Sequence, residues 1–281
     1  VPVSLDALVR AIELNAAAVE MNKTAFNWGR MAAHDPAAVR RASGLDAAVE
    51  APAVGTIDDR ALSTTLDERV NRRRAFLTDY QNAAWADRYA ALVAKVRAAE
   101  AARVPGSTAL TEAVARYAFK LMAYKDEYEV ARLYSQPGFW AEIDRTFAGD
   151  FKVHFNLAPP LLAKKDADGH LVKAEYGPWI RHAFRALRHF KFLRGTAFDP
   201  FGRTEERRLE RQSIEDYFAR VEELLATLDG GNVALAVEIA SIPEHIRGYG
   251  HVKERHLAEA RRREAELLAA WRNPQAIARA A

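Results

Sequence analysis

The stretch Leu110-Thr-Glu-Ala-Val-Ala-Arg-Tyr-Ala-Phe-Lys-Leu-Met-Ala-Tyr-Lys-Asp-Glu-Tyr-Glu-Val-Ala131 carries apolar side chains at Leu110, Val114, Tyr117, Leu121, Tyr124, Tyr128 and Ala131. Residues three and four apart share one face of a helix, so this spacing predicts a helix whose stripe is core, stopped at Pro137-Gly138. Charge crowds the stripe at Tyr124-Lys-Asp-Glu-Tyr-Glu-Val-Ala-Arg132, where Lys125 and Glu129 read as a solvent-face salt-bridge pair.

Upstream, the same period predicts a helix from about Leu66 to Arg103, ended by Pro105-Gly106. Arg72, Arg73 and Arg74 lie side by side in it and therefore point around the helix rather than forming one patch. A further helix is expected from Ser4, a plausible N-cap, to about Met31. Between them, residues 35–65 are rich in Ala, Pro, Gly and Asp with weak periodicity and read as a linker. The expected organisation is thus residues 1–34, a linker over 35–65, and a helical domain over 66–281.

Downstream the period switches to two. In Phe151-Lys-Val-His-Phe-Asn-Leu157 the apolar residues alternate with Lys152, His154 and Asn156, which predicts a strand. With the turn Asp166-Ala-Asp-Gly169 between Leu161–Lys165 and His170–Tyr176, a small antiparallel hairpin or sheet of two or three strands is expected near residues 151–176. Helices resume from Pro178 to about Leu193, from Thr204 to Leu228, from Asn232 to about Ser241 and from His251 to Trp271. The fold class expected is mainly α, a multi-helix domain with a small antiparallel β insertion and no internal repeat.

Composition narrows the function classes. The 281 residues, 49% hydrophobic and 28% charged, belong to the ordinary globular class. No apolar run approaches the roughly 18 to 20 residues of a membrane span. The absence of cysteine excludes disulfides, thiolate metal sites, Cys-ligated clusters and thiol catalysis, and suggests a reducing, cytoplasmic setting. A charge of 41 − 38 = +3, spread along the chain, argues against a nucleic-acid binder. The opening Val1-Pro-Val-Ser, without Met or a signal core, reads like a chain entered midway.

Searching for catalytic patterns mostly eliminates. Gly-x-Ser-x-Gly, Walker and His-Glu-x-x-His motifs are missing, and the pairs His251/His256 and His182/His189 lack a carboxylate to complete a tetrahedral set. Three features remain. In Arg247-Gly-Tyr-Gly-His-Val-Lys253, Gly248 and Gly250 allow backbone amides to approach an anion, and Arg247, His251 and Lys253 add charge; a plain interhelical turn is the simpler account. Arg181, Arg185 and Arg188 project from one side of a helix, with Lys191 and Arg194 beyond, as either a solvated face or a dock for an acidic partner. The loop Arg194-Gly-Thr-Ala-Phe-Asp-Pro-Phe-Gly-Arg203 combines Arg194, Asp199 and Arg203 with two phenylalanines, fitting an anchored turn or a rigid ligand site.

Four blocks, Leu121-Met-Ala-Tyr-Lys-Asp-Glu-Tyr-Glu-Val-Ala-Arg-Leu-Tyr134, Leu157-Ala-Pro-Pro-Leu161, Arg194 to Gly202 and Arg247 to Glu254, resemble in this order the C-terminal region of indolepyruvate:ferredoxin oxidoreductase. The opening Ala11-Ile-Glu-Leu-Asn-Ala-Ala-Ala-Val-Glu-Met-Asn22 and Ala25-Phe-Asn-Trp-Gly29 are similar to the tail of that family's gamma-type catalytic domain, with Ala16 where the family usually has Gly. The resemblance implies a long fused chain. Its earlier domains bind thiamine diphosphate, Mg²⁺ and 4Fe-4S clusters and oxidatively decarboxylate an aryl 2-oxoacid to acyl-CoA while reducing ferredoxin. This stretch would hold no cofactor and no catalytic residue. It would serve as an accessory domain contacting the remaining domains, with ferredoxin and coenzyme A as further expected partners. A free-standing helical subunit or binding module is the alternative.

Overall fold

The computed structural model describes residues 3–16, 18–43, 63–158, 172–248 and 250–273, with residues 250–254 as backbone. Backbone contacts divide the chain into two units, Val1–Leu62 and Ser63–Ala281.

In the first unit, α1 (Leu5–Leu14) is capped by Ser4, whose hydroxyl accepts from the Ala7 amide. The single helix expected to Met31 is interrupted, because Ala16 and Ala18 take positive φ values of 53° and 43° before α2 (Val19–His34) begins. An L side chain is strained there. Lys23 of α2 bonds Glu13 of α1 at 2.8 Å across the break. Pro36–Ala42, inside the stretch expected as linker, forms α3, started by Asp35 accepting from the Ala38 amide and by Pro36 at the first helical position. No residue of these three helices is buried. Of the remaining expected linker, residues 44–62 lie outside the described residues.

The second unit is mainly α. The expected helix Leu66–Arg103 is two: α4 (Leu66–Tyr80) opens with a Thr65/Glu68 capping box, and α5 (Ala83–Arg103) is started by Asn82, which accepts from the Trp85 amide at 2.9 Å. The expected Leu110–Ala131 helix is also divided, into α6 (Ala109–Met122) and α7 (Glu127–Tyr134). Asp126 caps α7, while the Trp85 indole and the Tyr80 hydroxyl take the carbonyls of Met122 and Tyr124 at the break. Tertiary donors thus satisfy the carbonyls a continuous helix would have bonded internally. Pro137 does not end structure but opens α8 (Pro137–Thr146).

A two-stranded antiparallel sheet follows, β1 (Phe155–Leu157) against β2 (Ala174–Tyr176), with Phe155 opposite Tyr176. It is shorter than the strand expected from Phe151, and the expected strand and turn at 161–169 lie outside the described residues. Next come α9 (Ile180–Leu187), a 3₁₀ turn Arg188–Leu193, α10 (Glu205–Thr227), α11 (Val233–Ala240), a 3₁₀ turn Ile242–His245 and α12 (Gly250–Arg272). Among the described residues no helix is long and apolar enough to cross a membrane.

The main core joins α4, α5, α6, α10, α11 and α12 around Val96, Leu110, Val114, Leu224 and Ile239. The Leu110-to-Tyr124 part of the stripe lies in it, as the periodicity requires. Ala131 instead enters a second, aromatic cluster with Phe155, Ile180 and Phe184, where the Tyr134 and Phe155 rings meet at 5.0 Å. Glu100 is fully buried and caps α6 from a distance, accepting from the amides of Leu110 and Thr111 and the hydroxyls of Ser107 and Thr111. Burial works against its charge, but these bonds outweigh it and hold the carboxyl below its ordinary value.

Candidate functional site

The loop Arg194–Arg203 leaves the 3₁₀ turn after α9 and feeds α10, whose N-cap is Thr204. Two of its charged residues turn inward. Arg194, its side chain 5% exposed, forms a two-pronged ion pair with Asp126, Nε to Oδ2 at 2.6 Å and Nη2 to Oδ1 at 2.9 Å. Its Nη1 donates to the Tyr80 carbonyl and to Gln81 Oε1, both at 2.7 Å, and the guanidinium lies 3.8 Å from the Tyr80 ring centre. Burial disfavours the charge, yet the Asp126 carboxylate more than offsets it and holds Arg194 above its ordinary value.

Asp199 is the second inward residue. Its carboxylate accepts from the Tyr128 hydroxyl at 3.1 Å, the Gly195 amide at 2.9 Å and the Phe201 amide at 3.1 Å, closing the loop on itself. Gly195 bends the chain at φ 76°, and Gly202 passes so near that a Cβ there would lie 2.4 Å from Asp199 Oδ2. Arg203 is exposed and braces the loop through Nη2 to the Ala197 carbonyl at 3.1 Å. Behind the loop, half-buried Glu127 faces Arg207 at 3.5 Å, and Arg207 also pairs with Glu210. Glu127 Oε2 is buried with no hydrogen-bond partner, and burial raises this carboxyl in spite of Arg207. Burial likewise pushes the Tyr124 hydroxyl up to about 12, so it stays neutral.

This node has its inward charged groups hydrogen-bonded and turned away from solvent. It can fix geometry; four of the five Arg194 donors and all the Asp199 bonds are spent on the protein itself. The loop it holds displays Phe198, 81% exposed, and the preceding turn displays Phe192, 64% exposed, beside Phe190.

The basic helix is α9. Arg181 is half-buried with its guanidinium 4.0 Å from the Trp140 ring centre, Arg188 is half-buried with Nε donating to His189 Nε2 at 3.3 Å, and Arg185 is exposed. The three therefore do not form one solvent-facing stripe, because the aromatic cluster beneath α9 draws Arg181 inward. Ile180 and Phe184 are buried on the opposite face, as expected. At the other expected anion turn, Arg247 bonds the Glu244 carboxylate and carbonyl, and its own carbonyl meets His256 Nδ1 at 2.8 Å. Gly248 has φ 90°, Tyr249 lies outside the described residues, and Gly250, His251 and Lys253 are described only as backbone opening α12.

Glu129 corrects another expectation. It is buried, not on a solvent face with Lys125, and its two oxygens take Nε and Nη2 of Arg132 at 2.7 and 2.8 Å. Sequence reasoning also missed Asp126, Tyr80 and Glu100, whose roles depend on partners distant in the chain. An acid immediately before a helical run, as at Asp126, was the one local signal. Among the described residues no three His, Asp or Glu side chains gather as a metal site.

Residues 66–266 match DUF6537, a family of unknown function. No curated protein and no solved structure matches the chain. The match spans most of the chain, from the start of α4 into α12, and the chain belongs to that family.

Proposed function

We propose that this DUF6537 member is the helical accessory part of an indolepyruvate-type 2-oxoacid:ferredoxin oxidoreductase, and that it acts by docking rather than by reacting. The observation carrying this reading is that two of the four resembling blocks are complementary halves of one node: Asp126 and Tyr128 from the first receive Arg194 and Asp199 from the third. The polar residues those blocks share are used to hold a loop, and the loop presents apolar side chains outward. Exposed Phe192 and Phe198 suit contact with the remaining domains of the enzyme, since large apolar side chains gain most from leaving water. Exposed Arg185 is the α9 residue left for an acidic partner such as ferredoxin.

On this reading the chemistry belongs elsewhere in a cytoplasmic assembly. Thiamine diphosphate, when bound there, supplies the carbanion chemistry of the decarboxylation. The present chain has no cysteine to ligate 4Fe-4S clusters, so those clusters and the Mg²⁺ would sit on other domains. The test is to isolate the native polypeptide carrying this sequence and measure its denatured mass, its iron and thiamine content and its indolepyruvate-dependent reduction of ferredoxin. A long chain with all three supports the proposal. A polypeptide of this length that neither carries nor copurifies with that activity refutes it and favours an independent binding module.

A further inference from the structure

We infer that a groove between α4, α6 and the end of α11 is a binding site for the phosphate group of a small molecule. The inference is independent of the oxidoreductase reading. The groove, of about 310 Å³, is lined by Arg69 and Arg73 of α4, Arg116 and Glu112 of α6, and Tyr117 and Ser241, over an apolar floor that includes Leu66. Three guanidinium groups against one carboxylate leave its wall at +2.

Some arginines elsewhere on this chain are matched to carboxylates at short range. Arg88 meets both oxygens of Glu215 at 2.8 and 2.6 Å, and Arg272 meets both of Glu223 at 2.6 and 3.0 Å. In the groove the contacts are longer. Arg69 stands 3.6 Å from Glu112, and its Nε is buried without a hydrogen-bond partner. Arg116 reaches Glu244 only at 3.4 Å, and Glu244 is already held by Arg247 at 2.5 Å. Arg73 has no carboxylate partner among the described residues; its guanidinium meets the Tyr89 hydroxyl and lies 5.5 Å from the Phe119 ring centre, which leaves its charge without a matching anion.

Holding like charges together without matching anions costs free energy, and a buried donor left unmade costs more. Both costs are removed by an anion that accepts from several directions. Arg69 and Arg73 lie one turn apart on α4, as Glu112 and Arg116 do on α6, so donors converge from two helices. A tetrahedral phosphate accepts from such an array, whereas a planar carboxylate is satisfied by a single guanidinium fork. The volume, at the low end of small-molecule sites (~300–1,000 Å³), leaves room beyond one phosphate group for a second or for a small organic body.

The test is titration calorimetry of the whole chain with inorganic pyrophosphate at fixed ionic strength, with phosphate and citrate as comparisons. The expected result is saturable one-to-one binding of pyrophosphate, weakened at least tenfold in Arg73→Gln and in Arg116→Gln and unchanged in Arg145→Gln, a surface arginine of α8. Far-UV circular dichroism checks each variant; if Arg73→Gln does not fold, Arg116→Gln decides, since its side chain is 61% exposed. Absence of saturable binding, binding that survives Arg116→Gln within twofold, or citrate binding as tightly as pyrophosphate each overturns the assignment.

Discussion

Replacing Gly202 by Ala tests whether the loop Arg194–Arg203 is held by the Asp199 carboxylate. The new Cβ would lie 2.4 Å from Asp199 Oδ2, 2.7 Å from its Cγ and 3.1 Å from its Cβ. Oδ2 must therefore retreat by roughly 1 Å to reach van der Waals separation. That carboxylate is fixed by three donors, Gly195 N on Oδ2 at 2.9 Å and Tyr128 Oη and Phe201 N on Oδ1 at 3.1 Å each, and such a shift takes Oδ2 off the Gly195 amide. A hydrogen bond to a charged acceptor contributes about 1.5–3 kcal/mol, so the variant should lose about 3 kcal/mol, most of it through a buried carboxylate left short of donors. In an Asp199→Ala background the oxygens are gone and only the 3.1 Å Cβ contact remains. There Gly202→Ala should cost under about 1 kcal/mol, giving a coupling of about 2 kcal/mol in a double-mutant cycle. Urea denaturation followed by circular dichroism, with the m value checked for constancy, measures all four proteins. A Gly202→Ala variant within about 0.5 kcal/mol of the parent, or additive changes in the cycle, would refute the reasoning.

Other expectations are independent of that loop. Asp126→Ala strands buried Arg194 and uncaps α7 together, so urea denaturation should show a loss of about 3–5 kcal/mol, with Asp126→Asn milder because it keeps an acceptor for the Glu129 amide. Glu100 has its carboxyl lowered in the folded chain, so the unfolded state binds the extra proton and stability rises with pH across that window. Its contribution is complete above the unfolded value near 4.3 and is lost as pH falls through the folded value; Glu100→Gln should flatten the acid limb of a stability-against-pH curve while lowering the neutral plateau. Gly195→Ala meets a φ of 76° and should cost about 1–2 kcal/mol by the same denaturation assay. Ala16→Gly removes the same kind of strain at a φ of 53°, and amide exchange in α1 and α2 should slow.

The helical class was legible because periodicity is a local property. The stripe from Leu110 to Tyr124, the start of α10 at Thr204 and the period-two run that contains Phe155-Asn-Leu157 all follow from residues within a turn or two of each other. The breaks were not legible. Nothing near Met122 announces that the Trp85 indole will take its carbonyl, 37 residues away, or near Tyr124 that Tyr80 will do the same from 44 away. Of the expected site residues, Arg194 and Asp199 are in contact with a common neighbourhood but face inward, while Arg181 is drawn against Trp140 instead of projecting with Arg185.

What the sequence determined by itself was the mainly α architecture, the position of the β insertion and the identity of the core stripe, since each depends on which residues share a face at a fixed period. Only the tertiary structure decided which charges are spent. Asp126 and Arg194 are separated by 68 residues and Tyr128 and Asp199 by 71, and the groove draws on α4 and α6 together with Ser241. A charged side chain has the same sequence signature whether it is solvated, matched in a buried pair or left facing a groove; burial and the distance to a partner decide among these, and both are set by how the helices meet.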